Sequence, residues 1–201
     1  MRNVIYTAPF PMETTMRFAR ALRGLSNVRL LGMFQQAPVG DDLKVFHDIV
    51  LVANALDPNE LVRGAERLRA AYGPIHRLLG ILEDLQVQVA VAREHLGIEG
   101  PTVESTRNFR DKGRMKEVFR AHGLPCAAHA YIDSHDDAYA FAARAGFPLI
   151  LKPPDGAGAR ATYKADNAEQ LSAALHEVRP SRSRRMLAEQ FLTGREFTFE
   201  T

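Results

Sequence analysis

The chain has few of the features that mark secreted, membrane or nucleic-acid-binding proteins. Its 201 residues include a single cysteine, Cys126, so no internal disulfide can form and a reducing, cytoplasmic location is expected. No segment approaches the ~20 consecutive apolar residues of a membrane span. The N-terminus does not follow the pattern of a signal peptide. A net charge of +2 is too small to indicate nucleic acid as a partner.

The first half of the chain also lacks a dinucleotide-binding motif. Apolar runs of strand length alternate with helical patterns, the runs lying at 2–8, 28–33, 48–53 and 75–82 and the helices at 14–24, 57–73 and 84–96. Strands that alternate with helices predict a parallel sheet covered on both faces, Rossmann-like in outline. G-x-G-x-x-G is missing after the first strand, so the sequence gives no support to a dinucleotide cofactor.

The second half, after Gly100-Pro101, has shorter elements. Residues 105–122 predict one polar helix with Ser105 as its cap, and Ser134 and Asp166 are expected to open two further helices. Strands are predicted at 128–132, 148–152, 160–165, 186–192 and 196–200. This order predicts a compact α+β unit with helices on one face of an antiparallel sheet.

A Gly-rich loop follows one of these strands in FPLILKPPDGAGAR, residues 147–160. Lys152 precedes the glycines, whereas the Walker pattern places its lysine after them at the start of a helix. The spacing predicts a β-hairpin flap in which Gly156 and Gly158 let backbone N–H groups approach phosphates. Lys152 would then supply a point charge beneath the flap. Taken alone, the stretch favours a Gly-rich hairpin that binds nothing, because such loops are common after strands.

Three segments in this order resemble the ATP-grasp superfamily: DKGRMKEVFRAHGLPCAAH, ILKPPDGAGAR and AEQFLTGREF. The resemblance is to its carboxylate–amine ligase branch, which includes biotin carboxylase, D-alanine–D-alanine ligase and glycinamide ribonucleotide synthetase. It implies an α/β Rossmann-like pre-ATP-grasp domain over 1–104 and a linking helix over 105–125. An α+β first lobe of the ATP-grasp domain, with a mainly antiparallel sheet, would follow over 126–201. The second lobe is expected beyond Thr201.

The resemblance also implies an ATP site. Lys112 and Lys152 would contact the phosphates, Glu189 would accept the adenine amino group, and Glu196 would accept the ribose hydroxyls. The other implied contacts are the flap, formed by Gly156, Ala157, Gly158 and Ala159 with Arg160 at its far hinge, and the backbone of Gln190, Phe191 and Leu192 at the base edge. These residue types suit a polyphosphate, an exocyclic amine and vicinal hydroxyls.

The implied activity is ATP-dependent ligation of a small carboxylate to an amine or thiol through an acyl-phosphate. Mg²⁺ would bridge the phosphates, with its ligands beyond residue 201, so no metal ligand or catalytic residue is assigned and this portion is not expected to turn over alone. Many relatives are dimers, and a homodimer is an expectation here. The alternatives are a non-catalytic ATP-binding module and a structural α/β protein whose hairpin binds nothing.

Two acidic residues follow the strand predicted at 75–82. Acidic side chains at the carboxyl end of a parallel strand face the ligand crevice of open α/β sheets. Glu83 is therefore a candidate for the substrate crevice. Helix capping by Asp84 is the alternative explanation of the pair, and both stay open at this point.

Overall fold

The computed structural model describes residues 1–156, 161–195 and 197–198. The chain divides into two compact units, Met1–Arg107 and Asn108–Thr201. None of the helices in the described part combines the length and the apolarity that a membrane crossing requires.

The first unit is built on a four-stranded parallel sheet. Its elements are β1 (Arg2–Ala8), α1 (Glu13–Arg23), β2 (Val28–Phe34), β3 (Asp48–Leu51), α2 (Pro58–Tyr72), β4 (Ile75–Leu79) and α3 (Gln86–Leu96). The strand order is β3-β2-β1-β4, and all three pairings are parallel. Alternate residues of β1 enter different cores: Ile5 packs with Leu61 of α2, whereas Tyr6 packs with Met16 of α1. Both faces of the sheet are thus covered, as predicted.

The second unit is built on a four-stranded antiparallel sheet. Helix α4 (Val103–Arg110) spans the boundary, and the unit continues with α5 (Lys112–Ala121), β5 (His129–Ile132), α6 (His135–Ala145), β6 (Leu149–Lys152), β7 (Tyr163–Ala165), α7 (Ala168–Val178) and β8 (Met186–Gln190). The strand order is β5-β8-β6-β7, with every pairing antiparallel. The predicted fold class is confirmed: an α/β unit with a parallel sheet, followed by an α+β unit with an antiparallel one.

The two faces of the second sheet differ in chemistry. Leu149, Leu151 and Ala188 belong to the core that α6 and α7 cover. Because side chains alternate along a strand, the opposite face carries His129, Tyr131, Ile150, Lys152, Leu187 and Glu189. Helix α5 contacts β5 on this second face, where Gly113 lies against the ring of Tyr131. Lys152 and Glu189, both predicted to bind ATP, therefore face away from the apolar core.

The single helix predicted over 105–122 is wrong, because two helices occupy that stretch. The Asp111 carboxylate accepts hydrogen bonds from the N–H groups of Gly113 and Arg114, so it ends one helix and caps the next. Ser105 is not a cap either, since its N–H donates to the Thr102 hydroxyl.

Several predicted element boundaries also differ. Asn167, not Asp166, caps α7, accepting from the N–H of Gln170 at 2.9 Å. The strands predicted at 48–53, 75–82 and 186–192 end earlier, because apolar residues continue past the last ladder pair. Strand β7 includes only the second half of 160–165. Of the strand predicted at 196–200, most residues lie outside the described part of the chain.

Candidate functional site

A cavity of about 300 Å³ opens on the second face of the antiparallel sheet. It is lined by Lys112, Ile150, Lys152, Pro153, Gly156, Thr162 and Glu189. Four of these residues were predicted from the sequence to contact ATP, and they come from α5, β6, the following loop and β8. The fold therefore brings segments far apart in the chain to one cavity.

Strand pairing places Lys152 beside Glu189. Ile150 lies opposite Glu189, and Lys152 lies opposite Leu187, so the lysine and the glutamate are diagonal neighbours on one face. Lys152 Nζ donates to Glu189 Oε2 at 2.6 Å. From the sequence, the two residues had separate roles at opposite ends of ATP, whereas here they form an ion pair.

The other carboxylate oxygen of Glu189 lacks a hydrogen bond. The side chain is only 9% exposed, and Oε1 has no hydrogen-bond partner among the described residues. Lys116 Nζ lies 3.3 Å from this oxygen, close enough for charge attraction but without hydrogen-bond geometry. A buried acceptor that lacks a donor costs about 1–3 kcal/mol. Oε1 is thus suited to accept a hydrogen bond from a ligand.

Lys112, the first residue of α5, forms hydrogen bonds with the loop that follows β6. Its N–H donates to Pro154 O at 2.9 Å, and its Nζ donates to Gly156 O at 2.6 Å. Arg110 Nη2 donates to Asp155 O at 2.7 Å in the same loop. Three donors from the α4–α5 segment therefore hold the first residues after β6. Strands β6 and β7 pair antiparallel, which confirms the predicted hairpin, while Ala157, Gly158, Ala159 and Arg160 lie outside the described residues.

The segment after β8 offers fewer free backbone donors than predicted. The N–H of Gln190 donates to Ala128 O at 2.9 Å, and that of Phe191 donates to Pro148 O at 3.1 Å. Of the three predicted donors, only the N–H of Leu192 makes no backbone hydrogen bond to another described residue. Glu196, the residue predicted to bind ribose, lies outside the described part.

In the first unit, Glu83 lies exposed in a short 3-10 turn, Glu83–Leu85, between β4 and α3. The cap positions of the turn and of α3 are Leu82 and Leu85, so Asp84 does not cap either of them. In the order β3-β2-β1-β4, β2 and β3 are added on one side of β1 and β4 is added on the other side. Ligands of such sheets bind at the carboxyl ends of the strands beside this reversal of strand order. The position of Glu83 after β4 is compatible with its predicted place near a substrate crevice.

Lys116 and His129 also face this site and were not among the predicted residues. Lys116 is one helical turn after Lys112, and this i, i+4 spacing was the signal that could have revealed it. His129 lies opposite Glu189 in the β5–β8 register. Burial lowers the pKa of His129, and the charge of Arg120 lowers it further. Burial and a hydrogen bond to Asp111 raise the pKa of the neighbouring Tyr131.

The described residues contain no group of three or more histidine, cysteine, aspartate or glutamate side chains that could hold a metal ion. Around the cavity the charged groups are lysines and one carboxylate, which suit phosphates and an amine donor rather than a cation. No magnesium ligand is therefore assigned within residues 1–156, 161–195 and 197–198.

Most of the chain is similar to known proteins. Residues 111–198 match the family described as carbamoyl-phosphate synthase L chain, ATP binding domain. A D-alanine–D-alanine ligase from Ectopseudomonas mendocina is 31% identical over 134 residues, which cover 67% of this chain and 42% of that protein. The chain is similar in sequence to the carboxylate–amine ligases of the ATP-grasp superfamily.

Solved structures show the same ATP-grasp fold. An L-amino acid ligase from Bacillus licheniformis has a TM-score of 0.70 at 17% identity, covering 96% of this chain and 45% of its own. The biotin carboxylase domain of the Hydrogenobacter thermophilus 2-oxoglutarate carboxylase has a TM-score of 0.67 at 22% identity, covering 95% and 44%. That domain was solved with MgADP and bicarbonate. The chain spans less than half the length of these relatives.

Proposed function

We propose that this chain supplies the ATP phosphate and adenine contacts of an ATP-dependent carboxylate–amine or carboxylate–thiol ligase. In this assignment, residues 1–104 are the pre-ATP-grasp domain, 105–125 link it to the grasp, and 126–201 form the first lobe. The observation that carries the proposal is the buried Glu189 carboxylate: Oε2 is ion-paired to Lys152, and Oε1 accepts no hydrogen bond from another described residue and can accept one from a ligand.

Three charged side chains of the cavity suit different parts of ATP. Lys152 and Lys112 bring two ammonium groups to the polyphosphate. Glu189 Oε1 accepts from the exocyclic amine of adenine, and the Leu192 N–H donates to a ring nitrogen. The flap contacts at 157–160 and the ribose contact of Glu196 stay predictions, because these residues lie outside the described part.

The proposed reaction transfers the terminal phosphoryl group of ATP to a carboxylate oxygen of the substrate. The amine or thiol then attacks the carbonyl carbon of the acyl-phosphate and displaces phosphate. Magnesium would supply charge neutralisation on the phosphates when bound. Glu83 is proposed to lie beside the small carboxylate substrate, and we further propose a cytoplasmic homodimer.

Calorimetric titration of the chain with Mg-ATP tests the proposal. We expect binding, and Lys152→Ala should weaken it by about 1–3 kcal/mol, the scale of a hydrogen bond to a charged group. Lys44→Ala is the matched control, since Lys44 is an exposed, ion-paired lysine of the first unit. Absence of heat at millimolar nucleotide, or equal affinity in both variants, would show that the cavity is not an ATP site.

ADP release tests the proposed ligase activity. ADP release should depend on a carboxylate when amino acids and other small carboxylates are supplied with ATP. ATP binding without carboxylate-dependent ADP release would favour the second candidate, a non-catalytic nucleotide-binding module.

A further inference from the structure

We propose that Lys116 is a positioning residue of the ATP site. It would hold the Glu189 carboxylate when Lys152 leaves that carboxylate for the phosphates of the nucleotide. The inference rests on the proposed function, because it concerns how the same cavity receives ATP. It adds a residue that neither the family match nor the flap pattern had indicated.

The geometry around Glu189 is that of one carboxylate shared by two lysines. Lys152 Nζ is 2.6 Å from Oε2, and Lys116 Nζ is 3.3 Å from Oε1. All three side chains are largely buried, being 9% exposed for Glu189, 15% for Lys116 and 21% for Lys152. Oε1 has no hydrogen bond among the described residues. A small rotation of the Lys116 side chain would convert the 3.3 Å contact into a hydrogen bond.

The charge of the buried Glu189 carboxylate explains why two lysines are needed. Lys152 cannot fully neutralise Glu189 and also bind a phosphate, because the lost ion pair would leave a buried carboxylate unpaired. Such a carboxylate is costly and tends to take up a proton instead. With Lys116 in place, Lys152 can exchange partners while Glu189 stays ionised. Glu189 then keeps its charge for the adenine amine.

Lys116 is the lysine better held in place. It lies within α5, whose start is capped by Asp111 and whose Gly113 packs against Tyr131. The Lys116 carbonyl also accepts the weak hydrogen bond of the Cys126 thiol, at 3.6 Å. Lys152, by contrast, is the last residue of β6 and is followed at once by the loop. The lysine at the loop is therefore the one free to move towards a phosphate.

A stability cycle tests the shared carboxylate without any nucleotide. Lys116→Met and Lys152→Met should each lower the melting temperature modestly, because the other lysine still neutralises Glu189. The double variant should lose clearly more than the sum of the two changes. Adding Glu189→Gln to the double variant should restore much of the loss. Additive effects, or a triple variant no more stable than the double, would overturn the inference.

The pH dependence of the double variant gives a second readout. The charged groups that face Glu189 are Lys152 from β6, Lys116 from α5 and His129 from β5, with Lys112 at the same cavity. Without Lys116 and Lys152, the buried Glu189 carboxylate loses both of its ion-pair partners, which favours the protonated acid in the folded state. Relative to the unchanged chain, stability should then increase as the pH falls, since the folded state binds more protons. A merely structural loss of packing would not produce this slope.

Calorimetry with ADP tests the exchange itself. Lys116→Met should bind ADP more weakly by about tenfold, and binding should take up as much as about one proton per nucleotide. Proton uptake is measured from the heats in Tris and in HEPES. Lys116→Arg should bind without the extra proton, and Lys44→Met is the control for loss of a lysine. Unchanged affinity with no added proton uptake would contradict the exchange.

The two proposals fail in different measurements. No ADP binding by the unchanged chain would contradict the proposed function and, with it, the exchange of Lys152. An additive stability cycle with normal ADP binding would contradict only the role of Lys116.

Discussion

The Lys152 ammonium and the Glu189 carboxylate lie 2.6 Å apart and form an ion pair, although 37 positions separate them in the chain. Antiparallel pairing of β6 and β8 creates this contact, since it places the two residues diagonally on one face. The carboxylate therefore restrains the very charge that the phosphates of a nucleotide would need.

Glu189→Gln should release that charge. The amide keeps the shape and an acceptor oxygen but cannot form an ion pair with Lys152. We expect the affinity for inorganic tripolyphosphate, measured by calorimetry, to rise by about tenfold, the equivalent of ~1.4 kcal/mol. Tripolyphosphate contains no adenine, so its affinity reports the phosphate contacts alone.

The matched control is Glu117→Gln, which removes an exposed carboxylate next to Lys116 on α5. It changes the net charge by the same amount, so it corrects for long-range attraction of the anion. If Glu189→Gln does not exceed Glu117→Gln in tripolyphosphate affinity, the ion pair does not restrain Lys152.

The pattern of the sequence predicted the two sheets and the segments that form the cavity. Strands that alternate with helices form a parallel sheet whose two faces are covered by the helices, and this holds for β1 to β4. The positions of Lys112, Lys152 and Glu189 followed from the order of three motifs. The prediction of the sheets depends on local periodicity, whereas that of the three residues depends on the resemblance of these motifs to the ATP-grasp superfamily.

The contacts between these residues were not predictable in the same way. Which side chain meets Glu189 depends on strand register and on the placement of α5, which are set by tertiary packing. Lys116 was missed because its partner is 73 positions away along the chain, and Asp111 was missed as a cap because the flanking residues read as one continuous polar helix. That the N–H of Leu192 has no backbone hydrogen bond to another described residue depends likewise on the pairing of its neighbours.

Gly113 shows how tertiary packing can reverse a local preference. Gly→Ala within a helix usually stabilises by about 0.5–1 kcal/mol. At Gly113, however, a Cβ would meet the Tyr131 ring, with the hydroxyl oxygen 2.5 Å away. We expect Gly113→Ala to destabilise the chain by about 1–3 kcal/mol, the cost of overpacking, as measured by urea unfolding.

Tyr131→Leu provides the comparison, because leucine is smaller than tyrosine and has no ring. In that background the Cβ at position 113 has more room, so Gly113→Ala should cost little or become stabilising. An increase in stability from Gly113→Ala in the unchanged chain would show that α5 does not lie against Tyr131.

His129 makes the stability of the second unit depend on pH. Burial lowers its folded-state pKa below 6.5, and the nearby charge of Arg120 acts in the same direction. The unfolded chain therefore binds more protons than the folded chain once the pH falls through about 6.5, and stability is lost as acidification continues towards the lower folded value.

His129→Gln should lose less stability than the unchanged chain between about pH 7.5 and pH 5.5. Urea unfolding at both values measures the difference, with His95→Gln, an exposed histidine of the first unit, as the control. An equal loss in the His129 variant and the unchanged chain would mean that His129 takes up its proton as readily in the folded state as in the unfolded one.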